Sequence, residues 1–249
     1  MPVKHRFFAS PEHVLGSTVA LSEEESHHAI HVIRLRTGDE VSVFDGCGQE
    51  WTATVVMIGR KQVTLELIEK LDDNRESPLE LTLAAAQIKA DRFEWLLQKA
   101  VELGVSRVIP LITTHTEHGV IKQDSPNRRA RWARIVLEAT KQCGRRRLME
   151  LTEPQSFQQV LENFPLGGTG VMFVERATDP WFETISQVQA PPQHCLALVG
   201  PEGGWSQAEL ENALQKKFLT VTLGPRILRA ETAGIVAATL LQNLWGDLG

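Results

Sequence analysis

Two stretches of this 249-residue chain carry residue types that could hold and act on a small ligand. In CLALVGPEGGW, residues 195–205, an apolar strand-like run leads straight into Gly200-Pro201-Glu202-Gly203-Gly204, and Ser206 with Glu209 then forms a capping box that opens a helix. In an open α/β sheet, ligands bind beyond the carboxyl ends of strands, where glycine lets backbone N–H and C=O groups approach closely. A nucleotide-like cofactor suits such a loop. Neither GxGxxG nor GxxxxGK[ST] occurs, which argues against dinucleotide and P-loop binding; a glycine-rich turn without a ligand is the alternative. In LGPRILRAETA, residues 223–233, a second strand ends at Gly224-Pro225 ahead of Arg226, Arg229 and Glu231. Two arginines and a glutamate at the mouth of a pocket can position an anionic substrate. An acid at 231, near a helix start, is also favoured electrostatically, so an arginine–glutamate ion pair is the plainer reading.

His27 and His31 stand at i and i+4 beside His28, a spacing that can ligate a metal. No HExxH glutamate accompanies them and no third ligand has a plausible spacing, so no metal is expected. With Arg34 and Arg36 nearby, an RNA-facing role suits His31 and its helix better. Cys47, Cys143 and Cys195 form no CxxC pair and read as packing residues. Charge is uneven: the chain carries −5 overall, yet residues 128–147 hold eight Lys and Arg against one Glu. That asymmetry points to an anionic partner met at one place, against the blander reading of a solvated basic helix. No apolar run approaches the roughly 18 residues needed to cross a bilayer, and the first residues lack an apolar leader. No membrane partner and a cytoplasmic location are expected.

These residues need elements to position them. With 42% hydrophobic and 23% charged residues, 18 Gly and 12 Pro, the composition is that of a globular protein and excludes disordered and collagen-like classes. Residues 1–71 read as a small, mostly β module with strands at 18–21, 40–44, 51–58 and 62–68, and one helix that starts at a Ser22/Glu25 capping box and stops at Thr37-Gly38. The polar, proline-ended stretch 72–78 reads as a linker. Beyond it, strands at 79–87, 105–111, 171–174, 195–199 and 219–223 alternate with helices at 91–103, 126–143, 156–164, 180–188, 206–217 and 230–245, the pattern of an α/β domain. In the helix 126–143, Trp132, Ile135, Val136 and Ala139 make the apolar face, and Arg131, Arg134 and Lys141 a separate basic face expected to be exposed. The helix 91–103 leaves Trp95 on its polar side, where an exposed tryptophan marks a contact. The last helix is apolar around most of its circumference, as suits burial within the domain or against a second copy.

The two glycine-bearing stretches, with KADRFEWLLQKAVELGV at 89–105 and RFF at 6–8, together resemble the bacterial 16S ribosomal RNA uridine N3-methyltransferases, the small-subunit methyltransferase E family of the SPOUT superfamily. The resemblance spans essentially the whole chain, and the GPEGG and LGxRILRxETA motifs are far more specific as a pair than singly. It implies an α/β fold in two parts: a PUA-like RNA-binding β-barrel at 1–71 and a SPOUT methyltransferase domain at 79–249. The second part would be tied in a deep trefoil knot, a topology that general connection rules disfavour. The resemblance further implies a homodimer that binds S-adenosylmethionine through the backbone of three loops. These lie at Glu175, at Val199, Gly200, Pro201, Glu202, Gly203 and Gly204, and at Leu223, Gly224, Arg226, Ile227 and Leu228.

The implied activity is methylation of N3 of a uridine in 16S ribosomal RNA within the small subunit. N3 must lose its proton, and a cation stabilises the charge left on the uracil oxygens. Arg229 is the candidate for that role, with Glu231 as proton acceptor or as the group orienting an arginine, and solvent or a bound water as an equal alternative for the proton. Arg6, His31, Arg34, Arg36, Arg128, Arg129, Arg131, Arg145 and Arg146 are the expected RNA contacts, which position rather than specify. Thr116-Glu117-His118 stand where the family's pattern leads one to expect arginine, and Val101 where a small hydroxyl residue is common. A non-catalytic RNA-binding assembly factor is the competing reading; it would bind RNA but not S-adenosylmethionine.

Overall fold

A computed structural model describes residues 5–121, 125–165, 167–175, 181–185, 188 and 190–249. The chain divides into two units, 1–76 with 140–148 and 77–139 with 149–249. The first contains β1 (Arg6–Phe8), β2 (Val14–Leu15), β3 (Thr18–Ala20), β4 (Glu40–Phe44), β5 (Glu50–Ile58) and β6 (Val63–Lys70), with helix α1 (Glu23–His27) between β3 and β4. Among the described residues the strands order as β1-β4-β5-β6-β3-β2, antiparallel except between β1 and β4. Strand alternation sends Val41, Val43, Ala53, Val55, Val63 and Leu65 into a common core with Phe7, Val19 and Leu21. Register shifts between β5 and β6, at Thr52/Ala53 and Val55/Met57, add the local twist that lets such a sheet curl over its core.

The helix after Ser22 is shorter than its sequence suggests. Ser22 Oγ accepts the Glu25 N–H at 3.2 Å, while the Glu25 carboxylate is turned to Lys141 Nζ at 2.7 Å. From His28 to Ile33 the helix widens into a π turn. It stops at Arg34, which takes a left-handed φ of 63°. Ile30, Ile33 and Leu35 pack on the core nonetheless.

The rest of the chain forms β7 (Glu80–Ala86), α2 (Ala90–Glu102), β8 (Arg107–Ile112), α3 (His118–Ile121), α4 (Pro126–Cys143), β9 (Glu150–Leu151), β10 (Gln155–Ser156) and α5 (Phe157–Glu162). It continues as β11 (Thr169–Phe173), α6 (Trp181–Ile185), β12 (His194–Val199), α7 (Gln207–Gln215), β13 (Leu219–Val221) and α8 (Ala230–Trp245). Of the helix expected over 180–188, α6 is the described part; 180, 186 and 187 lie outside the described residues. The second unit's sheet runs β10-β8-β7-β12-β11-β13, with β9 also on β8, and every described pair is parallel. Strands inside such a sheet are covered on both faces, which is why β12 is buried from Cys195 to Val199 without polar alternation. Burial pushes the Cys195 thiol up, as befits a packing residue. Cys143 is half-buried and Cys47 exposed, so the packing reading does not extend to Cys47.

After β13, at the sheet edge, the chain returns to the middle of the sheet and lays α8 on β7, β12 and α2. That return crossing is the part of the path on which the expected knot depends. Small residues permit it: a Cβ at Gly234 would lie 2.8 Å from Leu96 Cδ1 of α2. Among the described residues no helix is long and apolar enough to cross a membrane.

Candidate active site

The carboxyl ends of β11, β12 and β13, three neighbouring strands, open onto one cleft of about 450 Å³. The rule for open α/β sheets places ligands here, and the volume lies within the range of small-molecule sites. Glu175 closes one side after β11, and residues 199–205 follow from β12. Thr222, Leu223 and residues 226–229 come from the segment between β13 and α8, and Ala230 and Ala233 from the start of α8. The three loops expected to act together therefore do meet: Glu175, Val199, Gly200, Pro201, Glu202, Gly203, Gly204, Leu223, Arg226, Ile227 and Leu228 all line the cleft. Gly224 is not among the lining residues; its φ of +101° instead lets the chain turn after β13.

Several groups that hold these loops were not legible in the sequence. The indole of Trp205 donates from Nε1 to the Phe173 carbonyl at 2.8 Å, pinning the end of the glycine loop to the end of β11. At the start of α7 the capping box forms as expected, and the other carboxylate oxygen of Glu209 accepts the Thr114 N–H at 2.9 Å. His115 Nδ1 lies 3.1 Å from the Gly204 carbonyl oxygen. Thr116, where arginine was expected, is buried, and its Oγ1 accepts the Thr113 N–H at 2.9 Å in the same turn. Glu117 and His118 are exposed.

Arg229 lines the cleft as the exposed residue immediately before α8, and among the described residues its guanidinium has no carboxylate partner. Glu231 is placed differently. It is 5% exposed, is not among the residues lining the cleft, and lies 3.8 Å from Arg92 Nε on α2. Arg92 also makes an ion pair with Glu202 of the glycine loop. The arginine nearest Glu231 is thus Arg92 and not Arg229, and one guanidinium stands between the cleft's central loop and the start of α8. Arg92 sits inside the KADRFEW stretch, but its two partners lie more than 100 residues away in sequence, and only the fold brings them together.

The basic residues expected at RNA divide into two groups. Arg6 stacks its guanidinium 3.9 Å from the centre of the Phe44 ring, bonds Glu50 at 2.8 Å and donates to the Thr140 carbonyl at 3.0 Å. Arg145 pairs with Glu76, Arg146 with Glu50 and Asp73, and Lys141 with Glu25. Arg128 is buried over the Trp132 ring at 4.5 Å. For Arg6, Arg128, Lys141, Arg145 and Arg146 the expectation of an exposed basic surface is corrected: four acids outside the basic run, Glu25, Glu50, Asp73 and Glu76, draw its end and Arg6 inward. Arg129 pairs with Glu153, and Arg131 with Glu94 at 2.7 Å while remaining 69% exposed. His31, Arg34 and Arg36 are exposed, with the His27 and His31 rings 4.6 Å apart.

This buried cluster has a pH signature. Burial alone pushes the Glu50 carboxyl up, but the hydrogen bond and charge of Arg6, with hydrogen bonds from Ser42 and Arg146, outweigh it and hold the group below its ordinary value of 4.5. A depressed carboxyl contributes stability that is complete above pH 4.5 and is lost as the pH falls through the folded value. Melting temperature is therefore expected to drop on acidification below that point. Glu50→Ala should cost roughly 3 kcal/mol at neutral pH by leaving half-buried Arg6 and buried Arg146 short of charge, and should flatten the acid limb. An acid limb identical in variant and parent would assign it to other groups.

Residues 75–242 match the family described as RNA methyltransferase domain, and residues 21–68 the RNA methyltransferase PUA domain. The chain is similar to ribosomal RNA small subunit methyltransferase E of Synechocystis, at 36% identity over 96% of this chain and 78% of that one. It is similar to the enzyme of the same name from Bacillus subtilis, at 30% identity over 90% of each. Among solved structures, ribosomal RNA small subunit methyltransferase E from Neisseria gonorrhoeae, bound to S-adenosyl methionine, superposes with a TM-score of 0.86 at 32% identity, covering 98% of this chain and 99% of that one. A methyltransferase from Legionella pneumophila in complex with the same cofactor gives 0.86 at 33% identity, covering 98% of both chains. A PUA-like curled sheet joined in sequence to a parallel SPOUT sheet, with both motifs at one cleft, agrees with these matches, and the chain belongs to the ribosomal RNA small subunit methyltransferase E family.

Proposed function

We propose that this protein methylates N3 of a uridine in the 16S ribosomal RNA of the small subunit, working as a homodimer with residues 1–71 as its RNA-binding module and 79–249 as its catalytic domain. Methyl transfer to ribosomal RNA with S-adenosylmethionine as donor is the activity of the family. The observation that carries the reading is the convergence of the three loops on one cleft with an uncommitted cation, Arg229, on its wall. The residues fit the donor: the cleft combines apolar walls from Phe173, Leu210, Ile227 and Leu228 with a glycine loop, and Gly200 and Gly204 leave it unobstructed by side chains of their own. When bound there, S-adenosylmethionine supplies an electrophilic sulfonium methyl group.

The protein's part is to bind, orient and stabilise charge. Backbone groups at 199–204 and 223–228 hold the donor, and Trp205 and Arg92 fix those loops before it arrives. The uridine must be unpaired to expose N3. Arg229 then stabilises the negative charge spread over the uracil oxygens once N3 is deprotonated, helped by the amino end of α8. Glu231 acts through Arg92, and the N3 proton passes to solvent. His31, Arg34, Arg36 and Arg131, all exposed, and half-buried Arg129 are the proposed phosphate contacts. Exposed Trp95 on α2 and Leu244 on α8 supply apolar surface for a second copy.

The test is to incubate the protein with methyl-labelled S-adenosylmethionine and small subunits from cells lacking it, then map the product by nuclease digestion and mass spectrometry. A single N3-methyluridine in 16S RNA is expected. Label on another atom, or binding of RNA with no label transferred, would reject the assignment.

A further inference from the structure

The ends of β7 and β8 frame a second, smaller hollow of about 50 Å³ in the same unit, which the chemistry above does not use. Its walls include Gln87, Lys89, His115 and Glu117, and it shares Glu202 and Gly203 with the larger cleft. Gln87 is 2% exposed, yet among the described residues neither its Nε2 nor its Oε1 has a hydrogen-bond partner. A buried amide left unpaired on both atoms is rare, because each orphaned atom keeps its full desolvation penalty. Such a side chain is built to be satisfied by something that enters.

The other walls say what kind of group that is. The Gly204 carbonyl can only accept, so the His115 ring donates to it from Nδ1 and presents Nε2 as an acceptor. Lys89 opposes a cation, while Glu117 and Glu202 oppose a phosphate. A neutral group with a donor beside an acceptor satisfies both ends of the amide at once. In RNA that is the hydrogen-bonding edge of an unpaired base, the feature by which single-stranded RNA is read.

We propose that this hollow receives the edge of an unpaired nucleobase neighbouring the methylated uridine, and that Gln87 reads it. The inference rests on the RNA methyltransferase reading above. The base read is a neighbour and not the target, because an N3 engaged by Gln87 is not free to accept a methyl group. At about 50 Å³ the hollow admits an edge and not a whole ring.

The test uses the full-length protein, S-adenosylmethionine and RNA substrates in which each of the nucleotides flanking the mapped methylation site is changed in turn. The parent protein is expected to lose about 10-fold or more in kcat/KM at one flanking position. Gln87→Leu should have a lower kcat/KM on the native RNA and be indifferent to that position, with the Kd for S-adenosylmethionine within twofold of the parent. Gln87→Glu, which keeps the acceptor and loses the donor, should change which base is preferred there, and serves if the leucine variant folds poorly. Parallel responses of parent and variants at every position would overturn the proposal and leave Gln87 as a water-bonded core residue. Absence of methyl transfer by the parent protein would instead reject the function on which it rests.

Discussion

Replacing Arg229 by alanine is expected to lower kcat for methyl transfer by about 100- to 1000-fold, the range found when one charge-stabilising donor is removed from an active site. The Kd for S-adenosylmethionine should move by no more than a few-fold. The separation follows from where the residue stands. Arg229 lines the cleft at the foot of α8, whereas the proposed donor site is the backbone of the loops at 199–204 and 223–228. In the proposed reaction, loss of the guanidinium removes stabilisation of a charge that exists only after N3 gives up its proton, so the transition state suffers and the bound ground state does not. Arg229→Lys keeps the charge but not the planar fork, and should recover only part of the rate. Arg229 is exposed and not among the core residues, so the melting temperature should be nearly unchanged. Pre-steady-state methyl incorporation and calorimetry with the donor separate the two quantities. A variant that binds the donor poorly while turning over normally at saturation would make Arg229 a donor-binding residue instead.

How far the sequence carried this site depends on the range of the interactions involved. The strand ending at Val199, the glycine loop and the Ser206/Glu209 cap are contiguous, and each rests on local rules of chain conformation, so all were readable. That the loops after β11, β12 and β13 share one cleft came from the family resemblance, since no periodicity encodes which strands are neighbours. Glu231 shows the limit. Its position near a helix start was legible, but its partner Arg92 lies on another helix, and Trp205 serves a carbonyl at residue 173. The basic run at 128–147 misled for a related reason. Charge counted along the chain cannot register that Glu50, Asp73 and Glu76 neutralise Arg145 and Arg146 from a distant segment. In the first module the strands at 40–44, 51–58 and 62–68 were recovered from their β-branched residues and the glycine turns between them, while Arg6–Phe8 and the two-residue strands were too short to stand out. The early stop at Arg34 needed a left-handed arginine, which propensity disfavours and tertiary packing imposes.

Gly200→Val is expected to weaken S-adenosylmethionine binding at least 100-fold. A Cβ at Gly200 would lie 2.9 Å from Trp205 Cε2 and 3.1 Å from its Nε1, closer than side chains pack. The indole cannot easily yield. Its Nε1 is bonded to the Phe173 carbonyl at 2.8 Å, and its ring lies against Phe157 at 5.5 Å between centres. If the indole leaves, the carbonyl at the end of β11 loses its donor; if the loop moves, residues 200–204 shift off the end of β12. Either outcome displaces the loop that lines the cleft, and that loop is the proposed donor site. Overpacking should also lower stability by roughly 1–3 kcal/mol, leaving the protein folded for calorimetry. Gly200→Ala adds the same Cβ without the two methyl groups and should weaken binding about 10-fold, because the clash already arises at Cβ. Gly119→Ala provides the control, since nothing lies within 4 Å of a Cβ there and it is remote in sequence from all three loops. Donor affinity in Gly200→Val within threefold of the parent would show that the glycine loop does not form the donor site, and the assignment of the cleft would fall with it.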